Sequence, residues 1–299
     1  AAGTGASGRR CPRSRLPARA RAAGSCAVPV GSRLTGHGSS GSSLPTVSVT
    51  DPDLLSHAQR IRANRFLHAI YLNMYGRLLA EVPRERFPRL LEIGSGAGFL
   101  REVAPHVITS DCVAGPGIDR VVDACRLEAS FAPAALDAIV AFDVFHHLPD
   151  VEGFLQGAAR VLRPGGRIAL VEPWFTPLGQ WFYRLLHHEP SVLDPDDWTL
   201  RGEGRLGGAN SRLPTSVFGD GLERLRRVVP ELRVVKRAPC HKWLYLLSGG
   251  LRFNTHVPPA VGDWLLWLDR RTAALDAVAG IFAVIVVERG EAPAGAGLD

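Results

Sequence analysis

A glycine-rich turn follows an apolar run at residues 90–103, "LLEIGSGAGFLREV". The run carries a carboxylate at Glu92, and glycines follow at alternate positions, Gly94, Gly96 and Gly98. A strand, a glycine turn and a helix in this order direct backbone N–H groups at a ligand, because glycine lacks the Cβ that would block its approach. Phe99 breaks the dinucleotide spacing G-x-G-x-x-G at its third glycine. The stretch therefore predicts a ligand site, with an ordinary tight turn as the alternative.

Short apolar runs alternate with helical patterns from residue 90 to residue 172. The runs are residues 90–93, 106–109, 119–122, 136–142 and 167–172. This alternation predicts a parallel sheet with helices on both faces, because parallel strands need helical crossovers. Further along, the pattern predicts a helix near 219–229, strands at 232–237 and 242–248, a helix around 260–277 and a final strand at 282–288.

Changes in composition predict the domain organisation. Residues 1–50 are rich in Gly, Ser, Ala, Arg and Pro, and we expect this tail to be disordered because it has few large apolar residues. Residues 51–299 are expected to form one domain. Within it, a long helical pattern at 51–85 forms a cap, and an aromatic, His-rich and Gly-rich stretch at 174–217 forms a lid or substrate insert.

Charge and cysteine content narrow the possible partners and setting. The tail carries seven arginines and no acidic residue, whereas the remaining 249 residues have a net charge of −1. The folded part therefore offers no broad basic surface for nucleic acid. The tail alone leaves open a solvated extension, an organelle transit peptide or an anion-binding arm. Five cysteines without a C-x-x-C pair argue against a disulfide framework, so we expect a reduced, cytoplasmic setting. The most apolar stretch, 277–287, is about half of a membrane span, so we expect no transmembrane segment.

The pattern E-x-G-x-G-x-G, formed by Glu92, Gly94, Gly96 and Gly98, resembles motif I of the class I S-adenosylmethionine-dependent methyltransferases. The resemblance extends over about residues 88–173, and the turn "RVLRPGG" at 160–166 is similar to that of the type-11 methyltransferase domain. It implies a Rossmann-like α/β fold with a seven-stranded, mostly parallel sheet, helices on both faces and an antiparallel last strand.

The resemblance also implies S-adenosylmethionine as the cofactor and gives roles to residues of this chain. Glu92 and the glycine turn, including Ser95, would seat the aminoacid portion. Asp111, at the end of the second strand, would bind the ribose, and Asp123 with Ala124 would contact the adenine. Phe142 and Asp143 would lie near the methyl group. From the residues alone, Asp111 could instead cap a turn and Asp123 a helix.

Two histidine pairs are candidates for a general base, because histidine titrates near neutral pH. His146 and His147 follow the fourth strand, and His187 and His188 lie in the insert. The catalytic candidates are His147, His187 and His188. For the first pair, a turn in which one ring packs and the other is exposed is the alternative. Adjacent histidines should point apart and no H-x-x-x-H pattern exists, so no metal is expected.

The expected partner is a small-molecule acceptor. The resemblance favours quinones, lipids or sugars, and the absence of "NPPY" after the fourth strand favours an oxygen or carbon nucleophile. Aromatic residues of the insert suit an acceptor pocket or a core stripe: Trp174, Phe175, Trp181, Phe182 and Tyr183. An NAD-dependent oxidoreductase and a noncatalytic cofactor-binding relative remain as alternatives.

Overall fold

The computed structural model describes residues 52–96, 99–185, 198, 200, 208–241, 244–248 and 255–290. Strands of this part of the chain form one seven-stranded sheet in the order β3-β2-β1-β4-β5-β7-β6. Their bounds are β1 Leu90–Glu92, β2 Ile108–Asp111, β3 Arg120–Val121, β4 Leu136–Phe142, β5 Leu162–Pro173, β6 Leu232–Cys240 and β7 Phe282–Arg289.

The strand directions confirm the predicted fold class. Neighbouring strands from β3 across to β5 pair in parallel, whereas β7 is antiparallel to both β5 and β6. The ends of β1, β2, β4, β5 and β6 therefore meet at one side of the sheet, which we call the carboxyl edge. Ligands of open α/β sheets bind at such an edge.

The helices of the described part of the chain lie on both faces of the sheet. Their bounds are α1 Pro52–Ala63, α2 Arg65–Glu81, α3 Leu100–Val103, α4 Val151–Val161, α5 Gly179–Leu185, α6 Leu213–Thr215, α7 Leu222–Val228, α8 Leu244–Ser248, α9 Pro259–Arg271 and α10 Asp276–Ala279. Three 3-10 helices cover Ala124–Ala129, Phe145–His147 and Ala273–Leu275, and a π-helical turn covers Ser216–Asp220. No helix in the described ranges is long and apolar enough to cross a membrane.

Strand β4 shows how the sheet divides the core. Val140 and Phe142 belong to the cluster that includes the buried face of α2, whereas Ile139 and Ala141 belong to the cluster that includes α4. Side chains of a strand alternate between the two faces of a sheet. A central strand that is buried at every position, as β4 is, therefore has to be covered on both faces.

The helical cap consists of two helices where the pattern predicted one. Asn64 separates α1 from α2 and caps α2, because its side chain accepts a hydrogen bond from the Leu67 amide at 3.1 Å. An asparagine with extended backbone is a favoured N-cap, so it starts a new helix inside a continuous apolar pattern. The second helix then packs its buried face on the sheet.

Two further predictions of local structure need correction. The strand predicted at 242–248 is wrong, because residues 244–248 form α8 and Leu244 packs into the α2 cluster. Short apolar runs do not distinguish a strand from a buried helix by periodicity. The helix predicted at 260–277 ends earlier: Thr272 caps α9, with its hydroxyl donating to the Leu268 carbonyl at 2.8 Å. Residues 273–279 form two short separate turns of helix.

Candidate active site

The glycine turn after β1 touches the ends of β2 and β4. The Ser95 amide donates to the Ser110 carbonyl at 2.8 Å. The Gly96 amide donates to Asp111 Oδ2 at 3.1 Å. Gly94 has a φ of +62°, and a Cβ built there would lie 2.5 Å from Val144 Cγ2. Only glycine fits this left-handed, tightly approached position. Gly98, the third glycine of the pattern, lies outside the described residues.

Glu92 is a buried carboxylate at the start of this turn, with 2% of its surface exposed. Burial raises its pKa to about 8, against smaller opposing effects of the Ser95 and Tyr75 hydroxyls. Within the described part of the chain, Glu92 Oε2 has no hydrogen-bond partner. A buried oxygen without a hydrogen-bond partner destabilises the folded state unless a ligand or water donates to it. Glu92 is therefore placed to receive a donor in the turn.

Tyr75 is a site residue that the sequence did not reveal. It lies on the buried face of α2, and burial, followed by the neighbouring Glu92, raises its pKa well above the usual value. Its ring and that of Tyr71 meet Phe142 edge-on, at centroid distances of 5.7 and 5.0 Å. Phe142 is thus buried on the α2 face at the carboxyl edge. In the sequence, both tyrosines look like ordinary positions of an amphipathic helix.

The two acids predicted to bind ribose and adenine occupy loop ends at the same edge. Asp111 is buried at the end of β2 and accepts from the Gly96 amide. Asp123 Oδ1 accepts from the Cys125 amide at 2.9 Å and caps the 3-10 helix that Ala124 begins. Both residues therefore play the capping roles that the sequence left open, and their contacts with a ligand stay predictions.

A second buried carboxylate, Glu172, shapes the loop after β4. Its Oε1 accepts from the Val144 and Phe145 amides at 2.8 and 2.7 Å. Its Oε2 lies 2.7 Å from His146 Nδ1. Asp143 is held with a φ of +60°, and its amide donates to the Val171 carbonyl at 2.9 Å. Glu172 thereby fixes the loop that carries both Asp143 and the first histidine pair.

The histidine rings of this loop lie together, which corrects the expectation that they point apart. Their centroids are 4.0 Å apart with planes inclined by 43°, because residues 145–147 form a tight 3-10 turn. His146 is buried, whereas His147 is half-buried with Nδ1 3.0 Å from the Gly208 carbonyl oxygen. His187 and His188 lie outside the described residues.

The same loop contains the described group whose geometry suits a cation. Ligand atoms of Asp143, His146 and Glu172 all lie within 4.8 Å of one another. Both oxygens of Glu172 already accept hydrogen bonds from the loop. The expectation that no metal is bound stays a prediction.

The chain matches a known family over the region that carries these residues. Residues 62–199 match the family model of a methyltransferase domain. This part of the chain is similar to a methyltransferase domain. The resemblance that the glycine turn carries therefore extends over residues 62–199.

Two curated relatives are similar to part of this chain. A 27-O-demethylrifamycin SV methyltransferase of Amycolatopsis mediterranei (strain S699) is 35% identical over 116 residues, 31% of this chain and 42% of the relative. A ubiquinone biosynthesis O-methyltransferase of Xylella fastidiosa (strain M23) is 29% identical over 97 residues, 27% of this chain and 39% of the relative. The chain thus spans about two fifths of the length of these relatives.

A solved geranyl diphosphate methyltransferase, in complex with SAM, is 16% identical to this chain. The match covers 79% of this chain and 90% of the solved chain, with a TM-score of 0.46.

The described part of the insert covers the histidine loop. The Asn210 amide donates to the His146 carbonyl at 3.0 Å, and just beyond the insert the Phe218 ring lies 4.9 Å from that of Phe145. The predicted pocket aromatics separate into two groups. Phe175 and Tyr183 are buried and stack at 4.6 Å, as core residues do. Trp181 is 66% exposed.

Proposed function

We propose that this domain binds S-adenosylmethionine and transfers its methyl group to an oxygen or carbon atom of a small-molecule acceptor. The observation that carries the proposal is Glu92, a buried carboxylate with an unpartnered oxygen, beside a turn in which Gly94 leaves no room for a Cβ. A ligand with a positively charged donor and a compact body suits this combination.

Residues at the carboxyl edge fit the three parts of the proposed cofactor. Glu92 and the turn Gly94-Ser95-Gly96 would hold the aminoacid portion, with Gly98 continuing the turn. Asp111 would accept from the ribose hydroxyls with the lone pairs that the Gly96 amide does not use. Asp123 would use Oδ2 for the adenine amine, because Oδ1 caps the helix.

When bound, S-adenosylmethionine supplies a methyl group already activated for displacement. The protein then mainly has to align the nucleophile and exclude water. The loop after β4 serves that task, because Glu172 fixes its backbone and therefore the position of Asp143. Phe142, packed between Tyr71 and Tyr75, makes the adjoining wall rigid.

A hydroxyl acceptor would benefit from a general base, and we propose His147 for that role. It is the more exposed ring of its pair and lies under the described part of the insert, where an acceptor would enter. His187 and His188 stay candidates outside the described residues. Replacing His147 by Gln should lower kcat more than it raises KM, if this ring takes the proton of the acceptor.

The names of the relatives support an acceptor that is small and bears a hydroxyl group. One relative is named for an O-demethylated rifamycin and the other for ubiquinone biosynthesis. We propose a quinone, lipid or sugar-like acceptor and no nucleic-acid partner. A cytoplasmic setting is proposed from the cysteine pattern alone.

Calorimetric titration of the full chain with S-adenosylmethionine, S-adenosylhomocysteine and the nicotinamide dinucleotides tests the proposal. We expect saturable binding of the two adenosyl compounds only. Preference for a dinucleotide would show an oxidoreductase instead, and binding of none of these ligands would contradict the proposal. A screen of hydroxylated quinones, lipids and sugars with a labelled methyl donor then tests the acceptor class.

A further inference from the structure

Helix α9 packs Leu265 and Leu266 against the core and yet exposes two tryptophans on its opposite face. Its acidic residue Asp269 is 2% exposed and lies on the inner face, whereas Trp264 and Trp267 are 54% and 46% exposed on the outer face. A surface helix normally buries its large apolar residues and exposes its acids. The arrangement therefore indicates that the outer face of α9 meets something less polar than water.

Specific contacts hold α9 in this orientation. Gly262 faces α2 so closely that a Cβ there would lie 2.8 Å from Phe66 Cδ2. Asp269 Oδ2 lies 3.8 Å from Nδ1 of the buried His241, at the end of β6. A small residue and a buried ionisable pair thus fix the inner face. Turning the helix to bury its tryptophans would break both contacts.

The exposed apolar surface continues beyond α9. The chain runs from α9 through Leu275 and Val278, which are both exposed. The Leu178 amide donates to the Val278 carbonyl at 2.9 Å, which brings the start of α5 alongside. We call this surface the edge patch, and it consists of Leu178, Trp181, Trp264, Trp267, Leu275 and Val278.

The edge patch borders the candidate active site. Helix α5 follows β5 at the carboxyl edge, and the turn with Val278 leads into β7 at the same edge. The first residue of β7, Phe282, lies 6.3 Å from Phe142 between ring centroids. A surface that covers the patch would therefore lie close to the end of β4 that carries Phe142.

We propose that the edge patch docks on the surface of a lipid bilayer that contains anionic headgroups. Tryptophan favours the boundary between water and lipid, and an apolar helix face flanked by arginines is typical of a helix that lies in that boundary. Arg270 and Arg271 flank the patch, with one exposed acid, Asp263, and the Arg271 guanidinium lies 5.4 Å from the Trp267 ring centre. The seven arginines of residues 1–50 add charge of the same sign.

Flotation of the full chain with vesicles tests this proposal without methyl donor or acceptor, so its failure is independent of the proposed function. The vesicles contain phosphatidylcholine alone or with phosphatidylglycerol. We expect binding to the anionic vesicles, weakened by salt, and a blue shift of tryptophan emission on binding. The double variant Trp264→Ser/Trp267→Ser should bind at least roughly tenfold more weakly, because large apolar side chains no longer enter the bilayer.

Matched controls separate the patch from charge and from the tail. Arg270→Gln/Arg271→Gln should weaken binding to anionic vesicles, whereas Arg226→Gln/Arg227→Gln, an exposed pair on α7, should weaken it less. Unfolding midpoints of all variants should match that of the parent. The proposal is overturned if the parent does not bind, if the tryptophan variant binds as well as the parent, or if that variant instead converts a dimer into a monomer.

Discussion

Replacing Glu92 by Gln should make the protein more stable at high pH and weaker in cofactor binding. The folded-state pKa of Glu92 is raised from 4.5 to about 8 by burial. A raised pKa means that the folded state holds the proton more tightly than the unfolded state. The contribution to stability is therefore present below the unfolded pKa and lost as pH rises through the folded value.

The size of the effect follows from this shift. Between pH 5 and pH 9, linkage predicts that Glu92 lowers the free energy of unfolding by about 4 kcal/mol, at roughly 1.4 kcal/mol for each pKa unit. Glutamine has the same shape and does not ionise. The free energy of unfolding of the variant should therefore rise relative to that of the parent as pH rises, and the difference should be greatest near pH 9.

Urea unfolding of the parent and of Glu92→Gln at pH 5, 7 and 9 measures this difference. Glu223→Gln, an exposed glutamate on α7, is the matched control and should follow the parent. Titration with S-adenosylhomocysteine should show parent affinity rising with pH up to about 8, because the ionised carboxylate attracts the ligand's amino group. The Gln variant should bind more weakly with a flatter profile. Equal pH dependence of stability in parent and variant would refute the argument that burial sets this pKa.

Three further substitutions test other parts of the site and its support. Gly94→Ala should abolish cofactor binding and lower the unfolding midpoint. Adding Val144→Ala should restore only part of the stability, because it removes the clash while the left-handed φ remains. Titration measures the binding and thermal unfolding the stability. Asp111→Asn should bind S-adenosylhomocysteine at least roughly tenfold more weakly without unfolding, since it keeps an acceptor for the Gly96 amide; unchanged affinity would contradict its ribose role. Asp137→Asn should lose about 2 kcal/mol of stability at pH 7, because Arg89 lowers the pKa of this carboxyl to about 2. The difference from the parent should vanish as pH falls from 4 towards 2, and urea unfolding across that range measures it.

Local patterns of the sequence were enough to predict the parallel strands of the sheet. Strand β4 occupies the predicted residues 136–142, and the glycine turn and Asp111 follow β1 and end β2 as expected. These features depend on a few consecutive residues, so the local sequence contains the information needed to predict them. The division of the cap at Asn64 was local too, but the apolar periodicity on both sides concealed it.

Contacts between distant segments could not be predicted. Tyr75 meets Glu92 only because α2 lies on the sheet, and Glu172 reaches the histidine loop because β4 and β5 are neighbours. Neither residue has a sequence pattern that distinguishes it from its surroundings. Asp269 on the inner face of α9 was even harder to predict, because a large apolar residue such as tryptophan is expected on the buried face of a helix and an acid on the exposed face.

The hydrogen bonds of Glu172 separate the scaffold of the histidine loop from its chemistry. One carboxylate on β5 holds the backbone amides of Val144 and Phe145, so the path of the loop depends little on the side chain at position 147. Position 143 is more restricted, because its φ of +60° favours Asp, Asn or Gly. A redesign towards a different acceptor can therefore vary His147 and keep Glu172 as the fixed point.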